Sequence, residues 1–377
     1  MTSKGWRKVP LANIATIQTG IAKGAKKIKD PVEIPYLRVA NVQDGFLDLT
    51  EVKTIEVDRT QIERYLLRNG DVLLTEGGDF DKLGRGSVWR GEVSKCVHQN
   101  HVFVVRPNPK VLLPEYLSIL TGSSYGKSYF LRCSKQSTNL ASINSTQLKA
   151  FPVLLPPISE QSAIVETFSH WDQAISKLEL LIATKEIQYI WLQTNLIKKA
   201  NKAEWQRAVL GDLCAINKGQ QLNKLNMTAN GSFNVVNGGI SPSGRTNKWN
   251  APENTITISE GGNSCGFVNF ITEKFWNGGH CYTVQPTVED VDKPYLFFYL
   301  KTYEKEIMRL RVGSGLPNIQ IKDISSFPVL CPSYSEQKRI ADVLTMVTRE
   351  ISLLEKQRNC FIRQKVGLMQ KLFTGYR

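Results

Sequence analysis

Histidine is scarce, four in 377 residues, and the seven cysteines (96, 133, 214, 265, 281, 331 and 360) include no Cys-x-x-Cys pair. The nearest approach to a metal cluster, Cys265 with His280 and Cys281, puts two would-be ligands on adjacent residues and lacks a fourth. Reduced thiols and no metal are therefore expected, as in a cytosolic protein. No apolar run approaches the roughly 18 residues of a spanning helix; the longest, Tyr295–Leu300, has six. The opening Met1-Thr2-Ser3-Lys4-Gly5-Trp6 has no apolar signal region, so a cytoplasmic location and no membrane partner are expected. There is no Gly-x-x-x-x-Gly-Lys phosphate loop. The glycines at 77–78 and 84–86 do not open a helix as a dinucleotide loop would. Leu155-Pro156-Pro157-Ile158 lacks the polar first residue of the Asn/Asp-Pro-Pro-aromatic run that amino-methylating enzymes use on a flipped base. Glu51-Val52-Lys53, after Asp44, matches a metal-nuclease carboxylate pattern no better than chance. His101 and His280 sit beside apolar neighbours and read as structural. No residue is assigned as catalytic and no cofactor to this chain.

The composition is that of an ordinary globular protein, 41% apolar and 22% charged. At about 150 residues per domain the length suggests two or three domains. Lys and Arg outnumber Asp and Glu by 48 to 34, a net charge of +14 that points to a polyanionic partner.

An internal repeat organises the chain. Trp6-Arg7-Lys8-Val9-Pro10-Leu11-Ala12-Asn13-Ile14, ending at Gly20, returns as Trp205-Gln206-Arg207-Ala208-Val209-Leu210-Gly211-Asp212-Leu213, ending at Gly219. Glu76-Gly77-Gly78 returns as Glu260-Gly261-Gly262, and the segment 100–107 returns as 279–286. Phe151-Pro152-Val153-Leu154, with Pro156 and Ser159-Glu160-Gln161, returns as Phe327-Pro328-Val329-Leu330, with Pro332 and Ser335-Glu336-Gln337. Four collinear matches mean a duplicated unit of about half the chain. Each copy begins with short β-branched runs separated by Gly, Asn and Asp, with helical stretches near Pro114–Leu120 and Pro294–Tyr303.

Each copy ends in a long heptad helix. Apolar residues fall at Ile164, Phe168, Trp171, Ile175, Leu178 and Ile182, then at Tyr189, Leu192 and Leu196, with Lys185 in the gap. The second ladder runs Ile340, Leu344, Val347, Ile351, Leu354, Arg358, Phe361, Lys365, Leu368 and Leu372. A period of 3.5 held over about five heptads is a coiled-coil seam. Only residues 198–204 join the first helix to the second globule, so the helices can pair only antiparallel. The expected fold is α+β: two globular α/β recognition domains, 1–155 and 201–331, and two long helices, 156–200 and 332–377, forming an antiparallel coiled coil with pseudo-two-fold symmetry. About 33 helical residues give a separation of roughly 50 Å. The polar seam residues Lys185, Arg358 and Lys365 are expected to fix register.

Residues 1–155 carry a net charge of +8, whereas 201–331 carry +2 and are rich in Asn, Gln, Ser and Gly. Lys and Arg neutralise phosphate, Asn, Gln and Arg read base edges, and Gly admits backbone to phosphate. The candidate DNA-binding residues are Lys23, Lys26, Lys27, Arg38, Asn41, Lys82, Arg85, Arg90, Lys135 and Gln136 in the first copy. In the second they are Lys218, Gln220, Gln221, Lys224, Asn237, Arg245, Lys248 and Asn263.

With its duplicated Trp…Gly opening and its duplicated Phe-Pro-Val-Leu…Pro…Ser-Glu-Gln elbow leading into a heptad helix, the chain resembles the specificity (S) subunits of type I restriction–modification systems, over its whole length. The resemblance implies two target recognition domains on double-stranded DNA, each binding half of a split asymmetric site, and paired helices that set the spacer. It also implies two methyltransferase (M) subunits that modify adenine N6 with S-adenosylmethionine, and restriction/translocase (R) subunits using ATP and Mg²⁺. This chain then supplies the address and no chemistry. Glu160, Gln161, Glu336 and Gln337 match the elbow motif and either cap the helix starts or contact the M subunits. The alternatives are a stand-alone bipartite DNA-binding protein, the recognition subunit of a related methyltransferase–nuclease that cuts beside its site, and a nuclease built on Glu51 and Lys53.

If the basic loop grips phosphate, replacing Lys23, Lys26, Lys27 and Lys29 with Gln should lower the salt slope of DNA binding by several units, up to about 3.6 at ~0.9 per contact. An unchanged slope in a salt titration would place the DNA elsewhere.

Overall fold

A computed structural model describes residues 6–24, 28–78, 80, 83–136, 141–200, 202–313, 315 and 317–374. The chain falls into two compact units, residues 1–177 with 357–377, and residues 178–356. Each contains one globule and a segment of both long helices. Both long helices are divided mid-length between the units, and their ends pack on the globule beside them.

In the first unit a four-stranded antiparallel sheet has the order Ala15–Thr19, Val102–Pro107, Val72–Thr75, Gly86–Val88. Its side chains alternate between two covered faces. Val72, Leu74, Phe103 and Val105 pack with Tyr116, Phe130 and Phe151; Leu73, Val102 and Val104 pack with Leu37 and Trp89. A second sheet orders Lys53–Asp58, Pro31–Leu37 and Val97–His98, the last pair parallel. The second unit repeats this topology. Its four-stranded sheet is Cys214–Lys218, Cys281–Pro286, Thr255–Ser259, Val268–Ile271; its three-stranded sheet is Gly244–Thr246, Phe233–Val236, Phe275–Asn277, again with one parallel pair. The short helices form as expected, Pro114–Gly122 and Lys293–Thr302.

The repeat extends to individual hydrogen bonds. Arg7–Pro10 pairs antiparallel with Pro152–Leu155, and Gln206–Val209 with Pro328–Cys331. At each elbow one glutamine is wholly buried. Gln161 accepts from Leu113 N–H and donates to the carbonyls of Val111 and Pro156, all at 2.9 Å. Gln337 does the same with Asp292 N–H and the carbonyls of Asp290 and Pro332, again at 2.9 Å. Tyr116 Oη donates to the Leu154 carbonyl and Tyr295 Oη to that of Leu330, at 2.5 and 2.6 Å. Burial removes both glutamines from the expected partner interface: an unbonded buried amide is costly, and here three bonds satisfy it within the chain. Glu160 stays exposed, and Glu336 pairs with Arg339 at 2.7 Å.

The long helices are Ile158–Gln193, continued by a π-helical turn Thr194–Lys198, and Tyr334–Thr374. Within the first unit the segments run antiparallel. Ile164 and Phe168 share a core with Met369, Leu372 and Phe373; further along, the Trp171 and Phe361 rings meet edge-on at 5.4 Å and Asp172 pairs with Lys365. Within the second, Lys185 pairs with Glu350 at 2.8 Å, and Leu192, Leu196 and Ile197 join Ile340, Ala341 and Leu344. The seam residues Ile164, Phe168, Trp171, Ile175, Leu178, Ile182, Ile340, Leu344, Val347, Ile351 and Leu354 are all buried or half-buried. The expected rung at Leu368 is not: it is 37% exposed, and Met369 and Phe373 turn inward instead. A helix with 3.6 residues per turn drifts from a 3.5 repeat, and here its last turns pack on Trp6 and Tyr116 of the globule. Among the described residues no helix is long and apolar enough to cross a membrane.

Two predictions follow from this packing. Gln161→Leu strands two buried carbonyls and one N–H and should cost about 2–4 kcal/mol in urea unfolding, as should Gln337→Leu; a loss below about 1 kcal/mol for both would refute the elbow's role. His98 is buried, its ring bonded to the Val102 carbonyl at 2.8 Å, and burial lowers its pKa to about 4. An unfolded chain takes up that proton near pH 6.5. Stability is therefore full above pH 6.5 and falls as pH drops towards 4, by about 2 kcal/mol between pH 7 and 5. His98→Gln should abolish most of that loss; an undiminished loss would acquit His98.

Candidate nucleic-acid interface

Strand direction gives each globule two ends. From Pro107 the chain passes to Val111 and Leu113, which Gln161 binds, so that end of the first sheet faces the elbow. The opposite, distal end is where Thr75 leads into Glu76 and His101 into Val102, joined by a bond from Glu76 N–H to the His101 carbonyl at 2.9 Å. In the second unit Pro286 leads to Asp290 and Asp292, bound by Gln337, and the distal end carries Glu260 and His280, joined by the same 2.9 Å bond.

Close backbone packing builds these distal ends. A Cβ on Gly20 would overlap the carbonyl oxygens of His98 and Gln99; on Gly219 it would overlap those of Asn277 and Gly278. This is why each copy's opening ends on glycine. Past those glycines, Ile21 bonds to the His98 carbonyl at 2.8 Å, and Gln220 to that of Asn277 at 2.8 Å.

In the second unit the distal end gathers most of the expected residues. Lys218 pairs with Glu260. The Gln220 carbonyl is held by Trp276 Nε1 at 2.8 Å, Gln221 lies against Gly279, and Asn237 Oδ1 accepts from His280 N–H at 3.1 Å. Asn263 follows Gly262, whose N–H bonds to the Pro317 carbonyl. Lys224 and Lys248 belong to a second, exposed group around Gly244–Thr246, where the Thr246 hydroxyl bonds to the Asn226 carbonyl at 3.3 Å. Arg245 is tied to its own fold, its guanidinium donating to the carbonyls of Gly231 and Ser232 at 2.6 and 3.3 Å.

In the first unit the expected set divides. Lys135 and Gln136 are exposed on a hairpin whose return strand, Ala141–Ser142, pairs with Gly77–Gly78 at the distal end. Arg85 donates to Gln43 Oε1 at 3.2 Å beside Thr75, and Lys23 is exposed just past Ile21. Arg38 pairs with Glu51 at 2.9 Å. One expectation fails as a surface contact. Asn41 is 3% exposed and braces its loop through Arg38 N–H and the carbonyls of Asp48 and Glu51. Arg90 is exposed at the elbow end, where it pairs with Glu115 at 3.1 Å on the helix that follows Leu113. Lys26, Lys27 and Lys82 lie outside the described residues.

The histidines correct the sequence reading. His101 and His280 are not packed in the core: their side chains are 55% and 63% exposed. His101 Nδ1 pairs with Glu76, and His280 Nδ1 lies 3.6 Å from Glu260. The repeated Glu-Gly-Gly and the repeated histidine were the signal for this pair, visible only when read together. The buried histidine is His98, one strand away. Glu51 is held below the usual carboxylate range by Arg38 and Lys53, and among the described residues no three metal-ligating side chains converge. Cys281 is buried, its thiol pushed up to about 12.

Two distal ends built alike, one lined with cations and one with amides, suit recognition rather than catalysis. Comparison with known proteins agrees. The family model described as the type I restriction modification DNA specificity domain matches twice, over residues 3–185 and 202–362. The chain is 24% identical to a putative type I restriction enzyme specificity subunit of Methanocaldococcus jannaschii, over 96% of this chain and 91% of that one. It is 32% identical to a putative type I specificity subunit of Mycoplasma pneumoniae, over 48% of each. The crystal structure of a type I restriction-modification S subunit from M. genitalium superposes with a TM-score of 0.67 at 16% identity, covering 98% of this chain and 96% of that one. A chain from a structure of type I system assembly and conformational transition superposes at 0.63 with 18% identity, covering 98% of both. The two family matches coincide with the two copies of the internal repeat, and the chain belongs to the type I restriction modification DNA specificity family.

Proposed function

We propose that this chain is the recognition subunit of a type I restriction–modification complex, reading a split, asymmetric site on double-stranded DNA through its two distal ends. The observation that carries the reading is the pair of units with one topology and two chemistries. Equal folds give two equivalent platforms; unequal side chains, basic in the first copy and amide-rich in the second, give two different half-sites. The paired helices set the spacing between them. The chain contributes no chemistry of its own. S-adenosylmethionine, ATP and Mg²⁺ belong to the methyltransferase and restriction/translocase subunits that it directs.

Those partners need a surface, and the elbow glutamates and outward helix faces offer one. Glu160 is exposed, and the helices carry outward apolar residues such as Leu180, Ile187 and Met346. The test is recovery of the tagged chain from its native cells followed by mass spectrometry. The expected result is co-purification of an adenine methyltransferase at about two copies per chain. Recovery of the chain alone, binding its site tightly without partners, would favour the stand-alone bipartite binder.

A further inference from the structure

Both distal ends carry a large apolar side chain held out among polar neighbours. Phe46 is 59% exposed in the first unit and Ile240 69% in the second. One exposed hydrophobe is ordinary, but these two share a place in the repeat. Each lies in the loop that leaves the middle strand of the three-stranded sheet, after Leu37 and after Val236. Phe80 and Val312 are exposed as well, on loops that do not correspond between the copies. Both shared loops leave at the distal end: Gln99 N–H bonds to the Leu37 carbonyl at 2.9 Å, and Gly278 N–H to that of Val236 at 2.8 Å. Both are also held firmly. The buried Val42 bridges to Leu47, which packs against the same core, and the alternation that turns Leu47 inward turns Phe46 out. Gln43 N–H bonds to the Phe46 carbonyl at 3.0 Å, and Gly45 N–H to the Gly86 carbonyl at 2.9 Å. Around Ile240, Ser243 N–H bonds to the Val235 carbonyl at 2.9 Å, and Gly238 lies so close to the His280 carbonyl that a Cβ would overlap its oxygen. Beside Phe46 the chain carries Gln43, bonded by Arg85, and Asp44, paired with Lys127; beside Ile240 it carries Asn237, Ser241 and Ser243.

We propose that Phe46 and Ile240 are wedges, one for each half-site, that insert between adjacent base pairs and open the step beside the adenine to be modified. The proposal rests on the DNA-recognition reading above and adds deformation of the duplex to it. An apolar side chain fixed in water gains by burial, and a duplex offers one apolar interior, its stack of bases. Phe and Ile are among the side chains that enter base steps and kink DNA. The amides, hydroxyls and cations around each wedge can hold phosphate and base edges while the step opens. An opened step lowers the cost of swinging the neighbouring base out of the stack, which chemistry on a base within a duplex requires. A flat ring stacks on a base and a branched aliphatic chain does not, so Phe46 should contribute more to affinity than Ile240.

The test uses the full chain with the partners that co-purify, and a duplex carrying the split motif that native cells methylate. Permanganate, which oxidises thymines that have lost their stacking, is applied at saturating protein, and the thymine opposite the methylated adenine is read in each half. In the wild-type complex both thymines should oxidise about tenfold faster than in free duplex. Phe46→Ala should return one half to the free-duplex rate and Ile240→Ala the other, with binding about tenfold weaker for Phe46→Ala, less for Ile240→Ala, and unchanged melting temperatures. Phe46→Leu and Ile240→Leu keep an apolar wedge and should retain oxidation in both halves. Oxidation that stays at the free-duplex rate in a wild-type complex bound to the motif, or that persists in both halves of both alanine variants, overturns the wedges and leaves DNA recognition standing. Loss in both halves with either alanine variant overturns the assignment of one wedge to each half. Absence of a methylated split motif, or no binding to it, overturns both readings.

Discussion

In each unit one buried side-chain amide joins the globule to its long helix. Gln161 and Gln337 sit where three segments meet: the loop after the central sheet, the elbow strand and the first turn of a long helix. An amide in that position is unfavourable unless its donors and acceptor are all used, so the three segments are held in one geometry or not at all. The tyrosine hydroxyls of Tyr116 and Tyr295 brace the same strands from the other side. The outcome is a helix whose direction is set by the globule it leaves, which a flexible linker could not achieve. Of the polar seam residues, Lys185 pairs with Glu350 and Lys365 with Asp172 on the facing helix within each unit, whereas Arg358 donates to its neighbour Asn359.

That constraint also distinguishes the two ends of each sheet. The end of the sheet at the elbow is committed to the helices, and the charged groups there are spent internally: Asp71 takes a bidentate pair from Arg106, and Arg90 pairs with Glu115. The distal end carries internal pairs of its own, Glu76 with His101 and Glu260 with Lys218, but lies away from the elbow. Its glycines press the chain against neighbouring carbonyls, which builds a firm floor, and the residues above that floor are free to differ between copies. Side chains there can therefore diverge without disturbing the frame that holds them.

Much of this was legible in the sequence because it repeats. The elbow, the heptads and the Trp…Gly openings recur at matching places, and short strands and helices fell where β-branched runs and proline starts put them. What the sequence obscured had physical causes. Leu368 and Met369 are both apolar, and only the drift of a real helix against a 3.5 repeat decides between them. Asn41 and the elbow glutamines are polar, and composition alone cannot tell a polar residue facing solvent from one completing an internal network. The two histidines sit next to apolar strand residues, but the turn that begins each strand carries them outward. Arg90 lies at the elbow end of the sheet, a fact of topology rather than of residue type.

The central claim, that one chain addresses methylation through two unlike half-sites, is tested most directly by sequencing methylated adenine in native cells before and after deletion of this gene. The account predicts that one split motif, with two different halves and a fixed unspecified spacer, loses its N6-methyladenine on deletion and regains it when the gene is restored. A methylation pattern that is unchanged by the deletion, or loss of a single contiguous motif, would contradict it.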